Sequence, residues 1–404
     1  MRRVIFLMAL LMTINLSFAQ VKNVKEAKSI ASGINPDFAK AENLIEVALT
    51  DPTTKNDPNT WNVAGYVQRR INEKEMENAY LRKPYDTLRV YNSIFKTFQY
   101  LLKCDELAQV PNEKGKINNK FRKANVPVLL IERPNLINGG IQYFNLNNDE
   151  KARDFFTTYI DVVNNPMFEK ENLLKKDTMI SQVAYFTCLA STKIEDYPSV
   201  IKYASYGIND KETGKYVLEF LATAYKAQND TQNWIETLKH GFKTFSNHTY
   251  FFGNLIDYYS NNNQYEEAMK FVDEVLSNDA NNNFYLYVKA YLYHNMKDYD
   301  NAIIYYKKTI DSNPEYVEAY SNLGLIYCIK AQDYLDKATT DINSPKYKEE
   351  QQLTKKFYEE AKPYYEKARL LKPEQKDLWL QGLYRVYYNL NMGLEFEEIE
   401  KLLM

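Results

Sequence analysis

The chain has 404 residues, 45% of them apolar and 26% charged, which is enough for a large folded body and too apolar for disorder. Glycine (12) and proline (13) are scarce, which favours long helices with short connections and excludes turn-rich sandwiches and barrels. Lys and Arg number 51 against 53 Asp and Glu, a net charge of −2 that lacks the basic excess of a dedicated nucleic-acid binder.

At the start of the chain, Arg2 and Arg3 precede an apolar run from Val4 to Leu16, broken only by Thr13 and Asn15. Ser17-Phe18-Ala19 follows, with small residues where a signal peptidase reads, so residues 1–19 are expected to be a signal peptide cleaved before Gln20. The run is shorter than the roughly 20 residues that cross a bilayer, so no transmembrane segment is expected after cleavage. No cysteine stands near the cleavage point, and the mature chain is expected to be exported without a lipid anchor.

Residues 20–130 carry weak helical patterns, among them Trp61-x-x-Ala64-Gly65. The basic run Lys114, Lys116, Lys120, Arg122 and Lys123, which follows Glu113, reads as a solvated loop. Asn138-Gly139-Gly140 falls within a helical stripe, where small residues permit close packing of a neighbouring helix. Gly207 to Gly214-Lys215 has six residues between its glycines and Tyr216 after the lysine, so it fails as a phosphate loop. Cys104, Cys188 and Cys328 are few, odd in number and far apart, which points to core packing and not to a disulfide framework.

From residue 215 on, one period organises the chain. Tyr225, Tyr259, Tyr293 and Tyr327 are each 34 residues apart. Ala222, Ile256, Ala290 and Gly324 stand three residues before them; Leu218, Phe252, Leu286 and Tyr320 stand seven before. Leu286, Ala290 and Tyr293 share one face of a helix, and Ala302, Tyr306 and Thr309 share a face of the next. Asn295 to Asp300 joins the two, and Ser312-Asn313-Pro314 stops the second. A hairpin of this kind cannot bury its apolar stripe alone and must stack on others.

These residues resemble the tetratricopeptide repeat (TPR) family. Tyr320-x-x-Leu323-Gly324-x-x-Tyr327 stands for that family's W-x-x-L-G-x-x-Y, and Ala361-x-x-x-Tyr365 with Pro373 completes the unit. The resemblance implies an all-α fold, a right-handed superhelical solenoid of about eight antiparallel helix pairs. Its divergent N-terminal helices would occupy 20–130 and its main body 131–404, with a helical insertion at 328–360 and a capping pair at 376–404. Trp234 and Lys289 depart from the pattern, where Ala and Leu are usual; Lys289 is expected to snorkel along the surface.

In such a stack the first helices line a concave side, which makes Tyr250, Phe284, Tyr287, Tyr291 and His294 the candidate partner-binding residues. Tyr66, Phe144, Tyr185, Tyr216, Tyr384 and Tyr387 occupy equivalent or nearby places. Tyr has an apolar body and a polar tip, which suits a half-wet groove gripping an extended peptide or a partner's helix. The three histidines lack metal-ligand spacing, and no catalytic or cofactor motif is present, so catalytic, cofactor-binding and metal residues are all expected to be none. The resemblance implies a non-enzymatic scaffold or adaptor in the bacterial envelope, periplasmic or associated with the outer membrane, binding a protein or peptide and not nucleic acid. The alternative is a glycan- or small-ligand-binding accessory of outer-membrane nutrient uptake.

Overall fold

The computed structural model describes residues 20–111, 114–117, 119–246 and 248–403. The expected signal peptide and Glu113 lie outside them. The described residues are helical throughout, joined by short turns, and contain no strand. The helices are α1 (20–31), α2 (Phe38–Thr50), α3 (Pro58–Tyr80), α4 (Thr87–Ala108), α5 (Arg122–Asn145), α6 (Asp149–Asp161), α7 (Leu173–Lys176), α8 (Ile180–Lys193), α9 (Tyr197–Tyr203) and α10 (Gly214–Ala227). They continue with α11 (Thr231–Thr244), α12 (Thr249–Asn261), α13 (Tyr265–Asn278), α14 (Asn283–Asn295), α15 (Tyr299–Ser312), α16 (Val317–Leu335), α17 (Pro345–Leu371), α18 (Leu380–Asn389) and α19 (Gly393–Leu403).

The turn inside a pair has a recurring construction. Glu195, Asn229, Asn263 and Lys297, again 34 residues apart, all adopt the left-handed conformation, with φ of 56–62°. Asn147 and Asn391 do the same at φ 56° and 55°. The next residue sends its N–H back to a carbonyl of the helix just ended, as from Asp298 to Tyr293 at 2.9 Å and from Asp230 to Tyr225 at 2.9 Å. This is the reversal that satisfies a helix's last carbonyls. The side chains of Asn148, Asp196, Asp230 and Asp298 then cap the following helix by accepting a backbone N–H of its first turn. Two or three residues therefore end one helix and start the next.

The chain divides into two compact units, one up to Phe252 and the other from Gly253 on. In the first, α3 packs on α4, α4 on α5, α5 on α6, α6 on α8, and α8 on both α9 and α10. Its core includes Phe98, Leu129, Phe155 and Phe156. Gly139 and Gly140 are both buried, and a Cβ on either would overlap the rings of Phe155 and Phe156, so the glycine pair serves close packing between α5 and α6.

In the second unit α13 packs on α14, and each helix from α14 to α18 packs on the next. Ala290, Ala302, Tyr306, Leu323, Ala361 and Tyr365 lie in one core, as the apolar registers require. α16 and α17 run to 19 and 27 residues and cover most of 328–360, with 336–344 as the connection between them. Buried Glu350 accepts the Thr339 N–H at 2.8 Å and fastens that connection to α17.

Lys289 corrects the expectation of snorkelling. It is buried, its ammonium donates to Asp273 of α13, and it sits 4.6 Å over the Tyr305 ring. The side chain faces α13, where Asp273 gives the charge a partner. All three cysteines are free and buried, and desolvation pushes each thiol up to about 12.

Candidate interaction surfaces

In the first unit, aromatic rings line up across successive pairs. Phe144 of α5 is 6.4 Å from Phe186 of α8, centroid to centroid, and Phe186 is 5.2 Å from Tyr185. Tyr185 is 6.2 Å from Tyr216 of α10, Tyr216 is 6.1 Å from His248, and His248 stacks on Tyr250 at 6.5 Å. α5, α8, α10 and α12 each contribute rings to this row, although only Tyr216 and Tyr250 are 34 residues apart. Tyr216 is exposed, while Phe144, Phe186, Tyr185, His248 and Tyr250 are half-buried.

Charges frame this strip. Lys193 lies 4.5 Å over Phe144 and ion-pairs with Asp149 at 2.8 Å; Lys215 lies 4.9 Å over Tyr216. His248 is hydrogen-bonded to Glu219 through Nε2. Desolvation raises the Tyr250 hydroxyl above its ordinary value, more than a hydrogen bond with Thr223 lowers it. The strip thus combines apolar ring faces with hydroxyls, a carboxylate and ammonium groups, a surface suited to a chain that is itself amphipathic.

The other four candidates belong to the second unit, on α14. Tyr287 stacks on Tyr316 at 4.9 Å and tilts against Tyr306 at 5.6 Å. Asn322 of α16 donates to both Tyr287 and Tyr306 hydroxyls at 3.1 Å. His294 meets Tyr299 and Tyr306 edge-on at 6.0 and 6.4 Å, and burial lowers its pKa from the usual range. Phe284 meets Tyr285 edge-on at 5.4 Å. Tyr291 is the most open of the set, at 42% exposure. Tyr287 and His294 therefore spend much of their surface holding α14, α15 and α16 together, and Tyr291 presents its ring to solvent.

Elsewhere the aromatic positions divide. Tyr387 is buried and donates to Glu366 at 3.0 Å, so it is core. Tyr384 is half-buried against Phe396 at 4.8 Å. Asn322, Tyr316 and Phe186 are members of these surfaces that the repeat pattern did not single out. Asn322 stands directly before Leu323-Gly324 of the motif, at a place where polarity alone marks it. Among the described residues, no three His, Cys, Asp or Glu side chains gather as a metal site, and no helix is long and apolar enough to cross a membrane.

The family model for the tetratricopeptide repeat matches residues 285–316, which are most of α14, all of α15 and the turn between them. This segment is a tetratricopeptide repeat. Leu286, Ala290, Ala302 and Tyr306, four of the residues in the 34-residue registers and hairpin faces, lie within it and are buried; the Tyr320–Tyr327 motif lies just beyond it. Among solved structures, the chain is similar to the C-terminal part of a TPR repeat-containing protein from Cytophaga hutchinsonii, at 13% identity and TM-score 0.42, over 66% of this chain and 93% of that one. It is also similar to a TPR repeats protein from Bacteroides fragilis, at 19% identity and TM-score 0.34, over 63% of this chain and 98% of that one. No curated protein matches the sequence.

Proposed function

We propose that the protein is an exported, non-enzymatic scaffold that binds an extended peptide or a partner's helix, and not nucleic acid, on its aromatic helix faces. The observation that carries this reading is the strip from Phe144 to Tyr250, in which neighbouring ring centroids are separated by at most 6.5 Å across successive first helices. Rigid aromatic side chains supply contact area at little entropic cost, and a row of them matches the repeat of an extended chain or of a helix face. Tyr250, Phe284, Tyr287, Tyr291 and His294 remain the proposed contacts, with Tyr291 and Tyr216 as the most accessible rings.

Export to the periplasm or the outer membrane, without lipidation, is supported by Arg2, Arg3, the Val4–Leu16 run and Ser17-Phe18-Ala19. Mass measurement of the chain recovered from outside the cytoplasm should show Gln20 at its N-terminus. An intact Met1 start in the exported fraction would sink that part.

Binding is tested by affinity capture beside Tyr216→Ser and Tyr291→Ser variants, with matched circular dichroism spectra. A partner retained by the parent and lost from either variant is the expected result. Capture that ignores both substitutions would remove the aromatic faces as the docking surface.

A further inference from the structure

Among α3, α4 and the start of α5 lies a cavity of 180 Å³, lined by Asn62, Tyr66, Arg69, Lys120, Phe121 and Asn125 with Leu101 of α4 among the rest. Two cations and two amides face it, and none of its lining residues is a carboxylate. Arg69 Nε is buried and makes no hydrogen bond. Glu73 Oε1 lies 3.2 Å from it but fails to line up with the N–H, while the other Glu73 oxygen accepts from Arg70 at 2.6 Å. The Arg69 and Glu73 side chains are 38% and 43% exposed, and an ion pair so open to water contributes little and yields readily to a competing anion. A buried N–H donor without an acceptor costs free energy that a ligand oxygen would recover.

The amides extend the pattern. Asn125 is buried and donates to Asn62 Oδ1 at 3.0 Å. That bond uses the Asn62 carbonyl oxygen and an Asn125 amide hydrogen, so the donors of the pair's Asn62 amide and the acceptor of its Asn125 carbonyl are not engaged by it. A hydroxyl, which both donates and accepts, matches this pair. The Tyr66 and Phe121 rings line it as well, with Arg69 5.6 Å over the first and Lys120 5.3 Å over the second, and the Tyr66 hydroxyl is already held by Ser32 at 3.0 Å.

We infer that this cavity binds a small hydroxylated organic acid about one sugar ring in size, its carboxylate on Arg69 and Lys120 and its hydroxyls on Asn62 and Asn125. A charged carboxylate leaves water only for a cation with hydrogen-bond donors, which Arg69 provides. A neutral sugar would leave the buried Arg69 Nε with only the misaligned Glu73 beside it and would add no charge for Lys120. A bare phosphate would leave the amide pair and ring faces unused. The site is separate from the aromatic strip, so its failure leaves the scaffold reading standing.

The test is calorimetric titration of the full chain with D-glucuronate, D-glucose and inorganic phosphate at low salt, beside Arg69→Gln and Lys120→Gln. Saturable glucuronate binding is expected, at least tenfold tighter than glucose or phosphate. Each substitution should weaken it tenfold or more. Lys120 is exposed, so its variant should keep the parent melting temperature. Glucuronate that fails to saturate, binding matched by glucose or phosphate, or a Lys120→Gln protein of parent stability with unchanged affinity would each overturn the inference.

Discussion

The guanidinium of Arg133 lies 3.7 Å over the ring of Tyr159 and ion-pairs with Asp177 at 2.5 Å. Asp177 in turn accepts from the Tyr159 hydroxyl at 3.0 Å and from the Met179 N–H at 2.8 Å. Both charged side chains are buried, at 9% and 4% exposure. Removing one partner strands the other in a poorly solvated place. Asp177→Ala should cost about 3–5 kcal/mol in urea unfolding. Hydrogen exchange should quicken first in the irregular stretch 162–179, and a loss below 1 kcal/mol would show that water already compensates the pair.

The Tyr365 ring sits between two glycines, Gly324 of α16 and Gly382 of α18, and a Cβ on either would run into it. Gly324→Ala and Gly382→Ala should each lower stability by about 1–3 kcal/mol through overpacking, although alanine is the better helix former. A Tyr365→Leu background should relieve most of that loss. If it does not, the glycines serve something other than room for the ring.

Lys297 holds φ at 62°, which costs a side-chain-bearing residue roughly 1–2 kcal/mol. Lys297→Gly should therefore raise thermal stability by about 1 kcal/mol despite the added freedom of the unfolded chain. Lys297→Val should lower it by at least as much. The same pair of changes at Glu195 provides an independent repetition, since its φ is 58°.

Acid should weaken the second unit through His294. Burial lowers its folded pKa below the unfolded value near 6.5, so between the two the unfolded chain binds the extra proton. Stability is then full above the unfolded value and falls as pH drops through it, levelling only below the folded value. His294→Phe should shrink the loss in melting temperature between pH 7.5 and pH 5. An unchanged loss would place the acid sensitivity elsewhere.

The cysteines should be silent to thiol reagents in the native protein. Burial raises all three thiols to about 12 and encloses them, so thiolate and access are both lacking. Three equivalents should react only after unfolding. Rapid labelling of even one under native conditions would reveal local opening around it.

Apolar period, more than any single motif, made the fold legible. Tyr225 to Tyr327 and Ala290 to Ala302 fix which faces meet, and burial follows those faces. The left-handed turn residues were harder to read, because Glu195 and Lys297 are not residues that favour that conformation; the tight geometry of the turn imposes it. Lys289 escapes the sequence pattern for a related reason. A charged residue at a packing position reads as surface until its partner is known, and Asp273 lies on a different helix, 16 residues earlier. The aromatic candidates were found as a set, but periodicity could not separate rings that hold helices together, such as Tyr287, from rings that face water, such as Tyr291.

Helices that lean mainly on their immediate successors also change how such a chain tolerates revision. α16, at 19 residues, is more than one turn longer than α14 at 13, and α17, at 27, is more than three turns longer than α15 at 14; the lengthened ends make their own contacts, with Tyr334 against Phe357 and Glu350 clasping Thr339. The extra turns meet α15 through one exposed ion pair, Lys330 with Asp300 at 2.7 Å. Length here is largely a local property of one hairpin, so trimming it should disturb its neighbour mainly through that surface pair, which contributes little.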